Sequence, residues 1–561
     1  MAQTISIGKQ DFLYLRENNY FYIDKTDFIR QWWESADDIT LITRPRRFGK
    51  TLNMSMLNYF FSNHYSEKSE IFEKLSIWNS VKYRKLQGAY PVIFISFADV
   101  KQGNYKDAVQ KVKKIIADVY RQYRYLMDYP DFTVADRRKL SDMTDRIDDV
   151  TAQDSLKDLS YFLSEYYKKK VIILLDEYDT PIQQGYTEGY YEQITGFMRN
   201  LLSGAFKDNS NLSYGFLTGI LRVAKESIFS GLNNLKVNSI LEDRYSEYFG
   251  FTKDEIRGIM EYYGRTDKYE EICKWYDGYR FGDTDIFNPW SVLNYMDENC
   301  SAKAYWQSTG DNSIIRQIVA EADDETADNL RKLMQGHMVS SYVDTSVIYP
   351  EIRNNPTTIY SFLLSAGYLK VVKKDELHDG NAICDIAIPN KEIFYVYEKE
   401  ILSALTNVIS QSTAIAIQQA IIRQDVPKLQ DNLQKLLLNS ISSFDYAHEN
   451  FYHGLILGIC AIMNNLYRVD SNRESGHGRY DIQLRPYDKK MPGIIIELKV
   501  LKDGIAEACI DTELEVSAKE ALAQIERRQY VTAMKQEGIT HFFKIGGSFY
   551  KKRVKLLSDT E

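Results

Sequence analysis

Four short apolar runs, flanked by polar residues and separated by amphipathic stretches, set the tightest limit on how this chain folds. They are ITLIT (39–43), YPVIFISF (90–97), KVIILLDE (170–177) and LSYGFLTGI (212–220). Runs this short and this rich in β-branched and aromatic residues suit strands buried on both faces. Between them, Asp107–Tyr123 and Tyr191–Leu202 carry helical spacing. Strand–helix alternation at this scale predicts a doubly wound, mainly parallel α/β sheet from Thr40 to about Phe249. From Thr252 to about Glu398 the pattern turns mostly helical, with shorter strand-like pieces. Ile401–Ser440 is helix-prone, with Pro427 as its break, and Phe451–Leu466 reads as an apolar helix. Strands are expected at Tyr480–Leu484, Gly493–Val500 and His541–Ile545. Three regions follow: a parallel-sheet domain over 1–250, a mostly helical lid or linker over 251–440, and a separate α/β module over 441–561.

Length and charge narrow the function classes. A chain of 561 residues is long enough for three to four domains and needs neither disulfides nor a structural metal to build its cores. Seventy Lys+Arg against 78 Asp+Glu give a net charge of −8, which argues against coating nucleic acid through bulk charge and leaves room only for a local site. Residues 441–561 hold 17 basic and 17 acidic side chains, so the whole negative excess lies before them. The five cysteines (273, 300, 384, 460 and 509) are scattered, with no CxxC, as expected of reduced thiols in a cytoplasmic protein. The N-terminal MAQTISIGKQDFLYLREN has charges every few residues and no apolar core, so no signal peptide is expected. No run approaches the 18 apolar residues of a membrane span.

The first chemical site opens at Arg44-Pro45-Arg46-Arg47-Phe48-Gly49-Lys50-Thr51, which follows a strand and begins a helix from Leu52 to Phe61. Such a turn surrounds phosphates with backbone N–H groups and a helix N-terminus. Arg46, Arg47, Phe48 and Gly49 would form the cradle, Lys50 would reach the β/γ-phosphates and Thr51 would ligate Mg²⁺. Arg44 stands where GxxxxGK[ST] has its first Gly. Alone, Gly-Lys-Thr is equally a basic surface turn. A second element shifts the balance: the apolar strand 171–175 ends in Asp176-Glu177, a Mg²⁺ ligand and a residue to polarise the attacking water. The third strand ends at Thr218-Gly219, where Thr218 is suited to sense the γ-phosphate. Arg222, just beyond, is suited to stabilise its charge, although a surface helix-start charge fits that position equally.

The second site lies near the C-terminus. Asp481 leads into one strand, and Pro492–Val500 follows with Glu497 and Lys499 two residues apart, hence on one face. Asp481 is expected to meet Glu497 across a hairpin-like pair. Two such carboxylates hold a hard divalent cation, with Mg²⁺ preferred, while Lys499 positions a water or neutralises developing charge. Glu449 is a candidate third carboxylate, and Gln524 a residue to orient Lys499 or a phosphate. Against this, Glu-x-Lys recurs by chance, and a cross-strand Glu/Lys pair is usually a solvated face. The three preceding Ile residues favour the site, because an ionisable pair ending a buried strand needs a partner. His453 suits packing or support of a ligand better than ligation.

These segments together resemble a bacterial family in which an AAA-ATPase-like domain is fused to a PD-(D/E)XK nuclease-superfamily domain. The resemblance rests on YIDKTDFI (22–29), RPRRFGKTL (44–52), IILLDEYDTPI (172–182), LTGILRVAKESIFSGLNNL (217–235) and FGFT (249–252). It continues in WYDGYRFG (275–282), NPWSVLNY (288–295), SAGYL (365–369), IPNKEI (388–393), ENFYHGLILG (449–458), GHGRYD (476–481) and IIIELK (494–499). The resemblance implies ATP at Lys50, Thr51 and Asp176, Mg²⁺-dependent phosphodiester chemistry at Asp481, Glu497 and Lys499, and a restriction-endonuclease-like C-terminal fold. It also makes an Arg at position 44 the family's usual form. The expected function is an ATP-binding and ATP-hydrolysing protein coupled to a Mg²⁺-dependent nuclease, with DNA favoured as partner, in defence or mobile-element biology. The competing expectation is an ATP-driven signalling or scaffold protein that binds a protein partner, its C-terminal domain cutting nothing; a homo-oligomer or a protein partner is expected beside the nucleic acid. The aromatic cluster Tyr276, Tyr279, Phe281 and Trp290, with Asp277 and Arg280, suits a lid core better than a base-stacking platform.

Overall fold

The computed structural model describes residues 2–222, 234–306, 324–344 except 335, 349–350, 356–376, 382–397, 411–440 and, with short breaks up to residue 477 and at 503, 452–560. These residues cluster in two compact units, Met1–Gly310 with Asp328–Phe394, and Asp311–Ala327 with Tyr395–Glu561. Residues 251–394 therefore fall largely with the first unit and 395–440 with the second.

The first unit is built on five parallel strands: β1 (Ile39–Thr43), β2 (Val92–Ser96), β3 (Val171–Asp176), β4 (Leu212–Gly219) and β5 (Leu235–Asn238), in the order β2-β3-β4-β1-β5. All six residues of β3 and all five of β1 are buried, as strands covered by helices on both faces must be. The register sets Ser96 beside Asp176 and Thr43 beside Gly219, so the polar strand ends meet at one edge. Ligands of open α/β sheets bind at that carboxyl edge. The motif at 22–29 is structural: the Asp24 carboxylate accepts from Thr26 and the Ser76 amide, and the buried Lys25 pairs with Glu255.

Between 251 and 394 lie two three-stranded sheets: β6 (Phe251–Thr252), β7 (Tyr279–Phe281) and β8 (Thr284–Phe287), then β9 (Val339–Val343), β10 (Lys370–Glu376) and β11 (Ala382–Ala387). Tyr276, Tyr279 and Phe281 are buried, the core side of the expectation for that cluster.

In the second unit, helices Gln411–Ile422 and Val426–Ser440 are separated just ahead of Pro427, whose ring then sits in a first helical turn. A mixed sheet follows: β12 (Tyr467–Ser471), β15 (Ile482–Pro486), β16 (Gly493–Val500), β17 (Phe542–Tyr550) and β18 (Arg553–Thr560), paired in that order, with a two-residue ladder between β13 (Glu474–Ser475) and β14 (Gly478–Arg479). Only β16 and β17 run parallel. Alternation along β16 divides its side chains: Ile494, Ile496 and Leu498 join a core with Leu433 and Leu437, while Ile495 joins one with Ile525 and Tyr530. Glu497 and Lys499 share the face of Ile495, toward helix Ile510–Arg527. Gly546 pairs with Glu497, and a Cβ there would lie 2.5 Å from the Ala518 carbonyl, so the helix rests directly on β17.

Candidate functional sites

At the carboxyl edge of the N-terminal sheet, two sequence-distant hydroxyls close on one carboxylate. Thr51 donates its hydroxyl to Asp176 Oδ2 over 2.9 Å, and Thr218 donates to Oδ1. The Thr218 hydroxyl also accepts the Glu177 amide at 3.3 Å. Asp176 is fully buried, and burial pushes its pKa up against the pull of these hydroxyls and of Lys50. Lys50, also buried, donates to the carbonyls of Arg44 (2.8 Å) and Pro45 (2.9 Å); desolvation lowers its pKa while Glu177, Asp179 and Asp176 oppose that shift. Arg47 (φ 70°) and Glu177 (φ 51°) both adopt the left-handed conformation that costs a non-glycine residue of order 1 kcal/mol or more. Gly49, at φ 82°, caps helix Lys50–Phe61, and nothing lies within 4 Å of where its Cβ would be. That open cradle, the Lys50 ammonium and the Thr51–Asp176 pair fit a nucleotide phosphate with Mg²⁺.

The arginines of the turn do different work. Arg44 is fully buried, donates to the carbonyls of Thr43 and Asn238 (both 2.9 Å) and lies over the Phe281 ring at 4.8 Å; desolvation pulls its pKa to about 10. It ties β1 to β5 and to β7, as a glycine could not. Arg46 donates to Gln183 (3.2 Å), and Arg47 lies 4.3 Å over the Trp290 ring. Phe48 is buried edge-on against Tyr279. Arg222 is half-buried, its Nε without a hydrogen-bond partner among the described residues, and the segment after it, 223–233, lies outside them.

In the second unit, Asp481 Oδ2 accepts the Leu498 amide at 2.7 Å, and the Asp481 amide donates to Glu497 Oε2 at 3.4 Å. The pair forms because β15 and β16 run antiparallel with Ile482 opposite Ile496. Burial raises the pKa of Asp481, opposed by the Leu498 amide, His453 and Lys499. His453 touches the Asp481 carbonyl through Nε2 at 3.0 Å, a supporting contact. Gln524 donates its amide to Glu497 Oε1 and approaches the Tyr530 hydroxyl at 3.3 Å, because its helix lies over the strand on the Glu497 side. Glu449 lies outside the described residues, and among those described no three His, Cys, Asp or Glu are grouped to hold a metal. The two carboxylates, one raised in pKa by burial, fit a single divalent cation.

Residues 6–229 match the family model described as predicted AAA-ATPase, and residues 447–558 match the model of the PD-(D/E)XK nuclease superfamily. The chain carries an AAA-ATPase-like domain and a PD-(D/E)XK nuclease-superfamily domain. Over 319 residues it is 27% identical to an uncharacterized protein in the vnfD 5′ region of Azotobacter chroococcum mcd 1. The alignment takes in 56% of each chain, so this chain spans about half the length of that curated relative. Among the described residues no helix is long and apolar enough to cross a membrane, and none of the five cysteines is in a disulfide.

Sequence reasoning missed two residues of the AAA-ATPase-like domain that fix the end of β4. Asp179, buried, accepts the amides of Ile220 (2.8 Å) and Leu221 (3.0 Å), and Tyr178 donates to the Leu221 carbonyl at 2.7 Å. Gly219 is required there, since a Cβ would lie 2.7 Å from the Tyr178 ring. The available signal was the second aspartate in DEYDTP, three positions after Asp176. Also missed was Glu392, a buried carboxylate that accepts from the Ser291 hydroxyl (2.8 and 3.0 Å) and the Trp306 amide (2.8 Å); burial moves its pKa up to about 7.

Proposed function

We propose that this protein binds and hydrolyses ATP with Mg²⁺ in its N-terminal domain and, under control of that nucleotide, cleaves nucleic acid, DNA in preference, in its C-terminal domain. The observation that carries the proposal is the Asp481–Glu497 pair at the end of a buried strand. Two carboxylates gathered there are unfavourable unless a cation shares them. Asp481 and Glu497 would hold that cation, with Gln524 fixing the Glu497 carboxylate. A bound Mg²⁺ supplies Lewis-acid polarisation of the phosphodiester and a nucleophilic water. Lys499, two residues along the same face, counters charge developing on the phosphoryl oxygens. In the other domain Lys50, Arg46 and Arg47 receive the phosphates, Thr51 and Asp176 hold the metal, Glu177 orients water, and Thr218 and Arg222 answer to the terminal phosphate. Residues 251–440 serve as lid and linker. The proposed setting is cytoplasmic, in defence or mobile-element biology, by family analogy.

Purified protein is to be tested on supercoiled, linear and single-stranded DNA and on RNA, with and without ATP and Mg²⁺. Cleavage that needs Mg²⁺, responds to ATP and disappears in Glu497→Ala and Lys499→Ala while ATP binding survives is the expected result. Cutting that persists unchanged in both variants overturns the nuclease assignment.

A further inference from the structure

Four consecutive residues of the phosphate turn are each gripped by a separate segment of residues 279–368. Pro45 packs on Gly367, where a Cβ would lie 2.8 Å from the proline ring. The Arg46 carbonyl accepts the Trp306 indole N–H at 3.4 Å, Arg47 stacks on Trp290, and Phe48 enters the ring cluster of Tyr279 and Phe281. Two of these grips share one anchor. The buried Glu392 carboxylate holds the hydroxyl of Ser291, next to Trp290, and the backbone amide of Trp306. A single carboxylate thus fixes the two tryptophans that touch the adjacent arginines 46 and 47.

Among the arginines of the turn, Arg47 alone is left open. Arg44 lies in the core and Arg46 donates to Gln183, whereas Arg47 makes no hydrogen bond or ion pair among the described residues. Stacking engages the face of a guanidinium and leaves its in-plane N–H donors available for a bidentate contact with phosphate. A half-buried cation with its donors unspent, on a left-handed backbone, one residue from the helix-capping Gly49, is placed to receive an anion.

We propose that Trp290 is a positioning residue for the nucleotide site: its ring presents the Arg47 guanidinium to the terminal phosphate, and so makes triphosphate recognition depend on helix Pro289–Asp297 of the middle region. The inference rests on the nucleotide-binding proposal above, and the two fail separately. Calorimetric titration of the full chain with ATP and with ADP, both with Mg²⁺, gives the ratio of the two affinities. In Lys50→Ala both nucleotides are expected to be lost; wild-type protein that binds neither, or Lys50→Ala protein that binds both normally, overturns the nucleotide-binding proposal itself. With that established, Arg47→Ala is expected to weaken ATP at least tenfold and ADP by much less. Trp290→Leu should reproduce that change in the ATP:ADP ratio in part, and Trp290→Phe, which keeps a ring face, should restore most of it. The double variant Arg47→Ala/Trp290→Leu should be no worse than Arg47→Ala alone, since the ring acts only through the guanidinium. A Trp290→Leu protein that melts like wild type and keeps its ATP:ADP ratio overturns the inference. So does a double variant in which the two losses add. If Trp290→Leu does not fold, Arg47→Lys decides: the ammonium keeps the charge but not the planar fork, and an unchanged ATP:ADP ratio counts against the proposal.

Discussion

In the N-terminal domain the buried carboxylate of Asp176 is closed off by two hydroxyls, Thr51 and Thr218, and feels the positive charge of Lys50. In the C-terminal domain Asp481 takes one backbone amide and has a second carboxylate, Glu497, beside it. Both acids end or border a strand at its polar edge, and burial raises the pKa of both. Their surroundings differ in sign. In the proposed function Lys50, Arg46 and Arg47 make the first edge a receptor for an anion, with Asp176 as the point at which a metal would join it. Asp481 and Glu497 are proposed to make the second edge a receptor for a cation, with Lys499 as the neighbouring positive charge. Net charge, −8 over the chain and zero over 441–561, carries no trace of this contrast, because each site departs locally from its own scaffold.

The largest effect expected from breaking the contrast is at Glu497. Glu497→Ala removes half of the carboxylate pair, and nucleic-acid cleavage should fall by roughly 10³-fold or more, the scale on which a charge-stabilising group acts in a reaction. ATP affinity, measured on the same protein, should stay within about twofold, and a parallel loss would show that the sites do not work separately. The pH profile should follow Asp481. Burial raises its pKa, and a ligand must be deprotonated to hold a metal, so cleavage should climb with pH above the ordinary carboxylate range. Next in size is Gln524→Ala. Support for a ligating carboxylate is worth about 10–100-fold in metal affinity or activity, and added Mg²⁺ should recover much of the loss if Gln524 only orients Glu497.

How far each site was legible in the sequence follows from how local its contacts are. Asp176 and Thr218 sit at the ends of apolar strands, Lys50 and Thr51 open the helix that follows the first of them, β1, and the expected runs 39–43, 170–177 and 212–220 overlay β1, β3 and β4 closely. Parallel pairing then brings the ends together without further information. Asp481 and Glu497 were legible for a similar reason, since one antiparallel turn joins their strands. β12 and β18 carried no such signal: Tyr467–Ser471 and Arg553–Thr560 mix exposed charged residues into short apolar patterns, being the edges of the sheet. Trp290 and Glu392 were beyond reach for another reason. Their partners lie 86 residues or more away, and neither a tryptophan in NPWS nor a glutamate in NKEI has a periodicity that names a partner. Gln524 was found as a residue but not in its contact, because sequence does not say which side chain of a strand face a crossing helix will cover.

Thr218 tests the N-terminal half of the comparison on stability. Thr218→Val keeps the shape but takes a donor from buried Asp176 and an acceptor from the Glu177 amide, a loss of about 2 kcal/mol by the usual cost of unsatisfied buried groups. Thermal unfolding should show the N-terminal transition several degrees lower, with Thr218→Ser close to wild type and C-terminal cleavage without nucleotide unchanged. An unshifted transition would mean that Asp176 is not held by Thr218 in solution.

The smallest effect expected is from Glu392→Gln, where only the pH dependence of stability should move. Its pKa rises from 4.5 in the unfolded chain to about 7 in the folded one, with burial the main cause. Between those values the folded state holds the extra proton, so stability falls as pH rises through the window and levels off above about 7. Glutamine cannot ionise, yet its carbonyl can still accept from Ser291 and the Trp306 amide. Glu392→Gln should therefore lose less stability than wild type between pH 5 and 8, and at pH 8 it should melt at the same temperature or slightly higher. Because the same carboxylate anchors Trp290 and Trp306, the ATP:ADP affinity ratio of Glu392→Gln should match wild type, whereas Glu392→Ala, which releases both tryptophans, should shift it toward that of Trp290→Leu. A melting curve for Glu392→Gln with the same pH slope as wild type would place the titrating group elsewhere. A normal nucleotide ratio in Glu392→Ala would separate the anchor from the arginines it is argued to hold.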